Sequence, residues 1–222
     1  MEYNTKEQFV RDIDRGNEGT IKVKTYIYEK YGIKSIITDE EDSKREHIDI
    51  RILKKEHQEV DEKIYSAFIH KFGYKIEVKH DQTANKTGNI YLEIWSNVRI
   101  NPPNPGAISQ CRAHSIWYVL DKKLLIFDRA LLFSCLLTHF YFNTGNAQKW
   151  KNITTKPRWQ TIIKEHLLKY NSFIDNYGLL GNEVKLNLMP ANINSDVRGI
   201  LISIEDIEKI KEKIGLVEVV NL

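Results

Sequence analysis

The 222-residue chain has only two cysteines, Cys111 and Cys135, which excludes a disulfide framework and a cysteine-rich zinc site. Both sit in apolar surroundings, as buried thiols in a reducing compartment do, so a cytoplasmic protein is expected. No stretch approaches the ~18 apolar residues of a membrane span. The longest apolar run, 130–137, has the length of a buried helix segment. The opening residues MEYNTKEQFVRD are polar and mixed in charge, so neither a signal peptide nor a membrane partner is expected. No phosphate-binding loop and no G-x-G-x-x-G fingerprint occurs. The seven histidines lack metal-ligand spacing. Neither charge sign dominates: 33 Lys and Arg against 30 Asp and Glu leave +3, which permits a polyanionic partner without arguing for one. What is there, 41% hydrophobic and 28% charged residues, suits a folded globular domain.

Patterning then divides the chain. Residues 5–31 read as a helix, with Val23, Tyr26, Ile27 and Tyr31 at three- and four-residue steps and Gly32 as its stop. Gly16 and Gly19 weaken the middle, so a break near Gly16 is expected. A strand follows at 33–38, then a charge run, TDEEDSKRE (38–46), that reads as a solvated loop. Strict alternation marks strands at 47–53, 74–79 and 90–95. Between the first two, Val60, Ile64, Phe68 and Phe72 recur every four residues, as in a helix. DQTANKTGN and NPPNPG (101–106) read as loops. A short helix at 107–114 and strands at 116–120 and 124–127 follow. Asp128 caps an apolar helix through 142. Residues 143–157 form a basic excursion, and Pro157 opens a helix to about 176. A strand at 199–203 and a helix at 204–214 close the pattern.

Two of these strands carry the chemistry. Asp49 lies in HIDIRI; Glu77 and Lys79 lie in IEVK and share one face, because strand positions two apart do. If 55–72 is an insertion at the tip of a hairpin, pairing 54 with 74 sets Asp49 opposite Lys79 and beside Glu77. Two carboxylates can hold a hard divalent cation. Such an ion activates water and neutralises charge at a phosphoryl group, and a lysine can orient the water.

The run Glu77-Val-Lys79-His-Asp81, Thr87-Gly-Asn89 and Glu93 resembles the PD-(D/E)xK nuclease superfamily, in its phage and mobile-element branch. The resemblance extends to GNEG (16–19), HID (47–49) and PGAISQCRAHSIWYVL (105–120), covering about residues 16–130. It implies an α/β (α+β) fold with a restriction-endonuclease-like αβββαβ core, a mixed central sheet flanked by helices, and C-terminal helical additions. It implies Asp49 and Glu77 as metal ligands, Lys79 as the catalytic lysine and Glu18 as a helix carboxylate added to the metal. Gln110 stands where some members place a helix Gln near the site, and Glu93 reads as structural or as a supporting residue. Two other registers stay open: Asp61 pairing with Lys79, or Asp61-Glu-Lys63 as the E-x-K equivalent. The span from Asp49 to Glu77 is longer than in most members.

The expectation is a DNA endonuclease using Mg²⁺, with Mn²⁺ substituting, whose core spans 1–142 and whose extension spans 143–222. Lys149, Lys151, Lys156 and Arg158, interleaved with Trp150 and Trp159, are the expected DNA-contacting residues, with Lys22, Lys24 and Lys30 beside them. A homodimer would let both strands be cut. The rival expectation is a non-catalytic nucleic-acid-binding module on the same fold.

Overall fold

Helix α1 (Lys6–Tyr31) runs unbroken for 26 residues, through both glycines, in a computed structural model of the chain. That structure describes residues 6–39, 43, 46–53, 69, 73–97, 99, 104–133, 135–136, 188–190, 196–211 and 214–222. The break expected near Gly16 is absent, because packing outweighs the propensity lost at glycine. Val23 and Ile27, each 1% exposed, press the helix onto the sheet. A Cβ on Gly19 would lie 2.7 Å from the Cβ of His80, so the glycine permits a close helix–strand approach; one on Gly16 would meet nothing within 4 Å. Gly32 ends the helix at φ +63°, its N–H donating to the Tyr28 carbonyl at 2.8 Å.

Two compact units interleave along the chain: 2–82 with 111–126 and 219–222, and 83–110 with 127–218. In the first, β1 (Ser35–Ile37), β2 (Ile50–Ile52) and β3 (Tyr74–His80) pair antiparallel in chain order. Strand β6 (Ser115–Val119) lies parallel to β3, as a long crossover between them allows. With β7 (Lys123–Asp128) and β10 (Leu216–Asn221) they make a mixed six-stranded sheet ordered β1-β2-β3-β6-β7-β10. Ile50, Ile76, Val78, Trp117, Val119, Leu124 and Ile126 meet Val23 and Ile27 in its core. Within the 55–72 insertion only Ile69 is described; it is helical and fully buried, and its carbonyl accepts the Gly73 N–H at 3.0 Å.

The second unit holds an antiparallel four-stranded sheet, β5-β4-β9-β8, of β4 (Asn89–Asn97), β5 (Asn104–Pro105), β8 (Leu188–Pro190) and β9 (Arg198–Ser203). The described helices beyond α1 are α2 (Gln82–Thr87), α3 (Ala107–Gln110) and α4 (Ile204–Lys209). Residues 129–133 and 135–136 are also helical, as expected behind Asp128, whose carboxylate accepts the Leu131 N–H at 2.9 Å. The loop expected over 81–89 contains α2: buried Ala84 anchors it, and Gly88, at φ +69°, caps it on the Ala84 carbonyl at 2.8 Å. Ser203 caps α4 by accepting the Asp206 N–H. The chain is therefore mixed α/β with a mixed sheet. In 143–222 the strand expected at 199–203 is present within β9 and the helix expected at 204–214 is present over 204–209, while the helix expected from Pro157 lies outside the described residues. Strands β8 and β10 add to the helical additions expected, and Val217, Val219 and Val220 in β10 are β-branched and favour that state. The boundary expected at 142 lies outside the described residues.

Candidate active site

Strand β3 turns two kinds of side chain to its two faces. Ile76 and Val78 join the core under α1, so alternation sends Glu77 and Lys79 to the opposite face. On β2 the pairs Ile50↔Ile76 and Ile52↔Tyr74 set the register, and one step further brings Asp49 across from Glu77. The expected pairing set Asp49 against Lys79 instead. The observed register differs by two residues, a shift that keeps every side chain on its face and that alternation therefore cannot detect.

Asp49 is held on both oxygens. The Val78 N–H donates to Oδ2 at 2.7 Å and the Ser43 hydroxyl to Oδ1 at 3.2 Å. Its own backbone joins neighbours on either side: its N–H donates to the Ile76 carbonyl and its carbonyl accepts from Thr38, at 2.9 and 2.8 Å. Burial pushes the Asp49 carboxyl up to about 6, and the Glu77 charge pushes the same way. The Val78 N–H, the Lys79 ammonium and the Ser43 hydroxyl act against that rise.

Glu77 is 4% exposed and accepts a short hydrogen bond from the Lys79 ammonium. Burial works against the charge on Lys79, but the Glu77 carboxylate and its hydrogen bond outweigh it, helped by Tyr118 and Asp49. Its affinity for the proton is raised, so it is an ammonium throughout the working pH range. Tyr118 is paired with Lys79 across β3 and β6. Asp49, Glu77 and Lys79 are thus brought together.

Glu18 is not brought to them. It pairs with Lys22 at 2.8 Å on the helix surface with half of its side chain exposed, and Lys22 holds its carboxyl below the ordinary range. It is next to Gly19, which meets His80 on the α1 side of β3, whereas Glu77 and Lys79 face the other way. Gln110 lies in the second unit, its amide donating to the Pro105 carbonyl at 2.5 Å. Glu93 has a local structural role: it accepts the Ala107 N–H at 3.0 Å beside Gly106, where a Cβ would come within 2.9 Å of its Oε1. The Thr-Gly-Asn signature closes the α2–β4 turn, the Asn89 amide donating to the Thr87 carbonyl at 2.9 Å. Lys30 lies 5.1 and 5.2 Å over the Tyr26 and Tyr31 rings. Asp61, Lys149, Lys151, Lys156 and Arg158 lie outside the described residues, as do Trp150 and Trp159.

The charge run at 38–46 contributes more than a solvated loop. Besides Ser43, it supplies Glu46, whose Oε2 lies 3.1 Å from the Lys75 ammonium and 3.5 Å from the Arg51 guanidinium. Arg51 is 2% exposed. No local pattern in the run signals these contacts: Ser43 lies one turn inside a helix, its N–H donating to the Asp39 carbonyl at 2.9 Å, and the partners of Glu46 are distant in sequence.

Among the described residues no group of three or more His, Cys, Asp or Glu is arranged around a metal position. Two opposed carboxylates, one with its proton affinity raised by burial and then by the charge of the other, nonetheless suit a hard divalent ion. Mg²⁺ is often held by one or two carboxylates, with water and phosphate oxygens filling its shell. Comparison of the chain with protein-family models, with curated proteins and with solved structures finds no match.

Proposed function

We propose that this protein is a divalent-metal-dependent DNA endonuclease of the PD-(D/E)xK kind. The observation that carries the reading is the convergence of Asp49, Glu77 and Lys79, drawn from separate stretches of chain onto one face of neighbouring strands. The order α1-β1-β2-β3, with β6 returning parallel to β3, supports it; between β3 and β6, where the implied core has one helix, the chain places α2, β4, β5 and α3.

In this reading Asp49 and Glu77 hold Mg²⁺ or Mn²⁺. Bound there, the ion would lower the pKa of water and neutralise charge on the phosphoryl group. Lys79 stays protonated, so it acts as a donor and not as a base. Its ammonium orients the attacking oxygen and meets the negative charge that develops on the phosphate. Asp49 is the group that changes state near neutral pH: charged above about 6 it receives a cation, and below that a proton competes. No motor motif accompanies the site, which favours internal cutting over processive degradation. The basic 149–158 segment supplies the phosphate contacts, and a dimer would pair two sites for two strands.

The test is incubation of the purified protein with supercoiled plasmid and Mg²⁺ or Mn²⁺. Nicked or linear products are expected, absent with EDTA and in Lys79→Ala and Glu77→Gln. Retained plasmid binding without cleavage under both metals would sink the enzyme and leave a nucleic-acid-binding module.

A further inference from the structure

We propose that Ser43 is a positioning residue for Asp49, seated by a charge clamp centred on Glu46; the inference rests on Asp49 being a metal-binding carboxylate. A carboxylate held at one oxygen can still swing about its Cβ–Cγ bond. The Val78 N–H holds Oδ2 at 2.7 Å, and the Ser43 hydroxyl holds Oδ1 at 3.2 Å. Two donors from different segments, one on each oxygen, fix the plane of the group and so the direction in which its free lone pairs point.

Ser43 needs an anchor, because it precedes β2 within a strongly charged run. Its carbonyl accepts the His47 N–H at 2.9 Å, closing one helical turn, and its N–H donates to the Asp39 carbonyl at 2.9 Å. Glu46 belongs to the same turn. Arg51 and Lys75 face each other directly in the β2–β3 register, where two like charges would repel. Glu46 reaches both, so one carboxylate relieves that repulsion and ties the turn to both strands. The Arg112 N–H donates to the Glu46 carbonyl at 2.9 Å and the Cys111 thiol to the His47 carbonyl at 3.3 Å. His47, at φ +51°, takes the left-handed conformation that redirects the chain towards Asp49. An uncommon backbone geometry, two backbone anchors and a three-way ion cluster thus converge on the placement of one hydroxyl.

The experiment uses the full chain as wild type, Ser43→Ala, Ser43→Thr and Glu46→Gln. Amide hydrogen exchange at Val78 reports the Asp49 contact directly, and Mn²⁺ titration by calorimetry reports the site. Ser43→Ala is expected to speed exchange at Val78 selectively and to weaken Mn²⁺ binding by ~10-fold, the scale typical of residues that orient metal ligands. Ser43→Thr restores both, and Glu46→Gln moves both in the direction of Ser43→Ala. Unchanged Val78 exchange in Ser43→Ala, or faster exchange spread evenly over β3, overturns the proposal. A wild type that neither binds Mn²⁺ nor cuts DNA removes the metal assignment, while Val78 exchange still decides whether Ser43 orients Asp49.

Discussion

On one side of β3, Ile76 and Val78 pack with Trp117, Val23 and Ile27. On the other side, Glu77 is as deeply enclosed as they are, yet it is satisfied by an ammonium and lies beside a second carboxylate. The apolar side is held by contacts that carry little direction, so any well-fitting side chain serves. The polar side works only while each charge keeps its partner, because an unpaired buried charge is strongly unfavourable. One strand thus separates stability from chemistry, and substitutions on its two faces should have opposite signatures.

The largest effect belongs to the apolar face. Trp117→Ala is expected to destabilise by ~3–5 kcal/mol, read as a lower urea midpoint. Little dependence on pH should accompany it; a strong dependence would mean that the two faces are not independent.

Next comes Asp49→Asn, with the opposite sign. The Asp49 carboxyl titrates near 6 in the folded chain, against ~3.9 in an unfolded one. Between those values the native state binds more protons, so stability falls as pH rises through that window. Well above pH 6, Asp49→Asn should therefore stabilise the protein, by about 3 kcal/mol, and the gain should vanish by pH 4. Urea titrations at pH 4 and pH 8 check this; destabilisation at pH 8 would contradict the raised value. Added Mn²⁺ should stabilise the wild type but not the variant.

Gly19→Ala tests the seam between α1 and the strand. The new methyl would lie 2.7 Å from the His80 Cβ. Overpacking of that kind is expected to exceed the helix-propensity gain and leave a net loss of ~1 kcal/mol in thermal or urea unfolding. The smallest effect is at Glu18. Its exposed pair with Lys22 is far from being a buried charge, so Glu18→Gln should alter neither plasmid cleavage nor the urea midpoint. Loss of cleavage in that variant would return Glu18 to the site.

Much of this is legible in the sequence itself. Alternation in HIDIRI and YKIEVKH marks strands because side chains switch faces at every residue. The same rule sets Glu77 and Lys79 side by side, and the three- and four-residue steps of Val23, Tyr26 and Ile27 mark a helix. Local spacing carries this information without reference to the rest of the chain. The register of Asp49 was not legible, since a two-residue slip leaves every face unchanged and only the whole sheet selects one pairing. Nor was the role of Glu46, whose partners Lys75 and Arg112 are distant in sequence, nor that of Ser43, which reaches Asp49 only through the turn that Glu46 ties down. The exclusion of Glu18 from the cluster depends on which face α1 covers, and the proton affinity of Asp49 depends on burial and on Glu77. Those properties arise when remote segments meet away from water, so only the folded chain decides them.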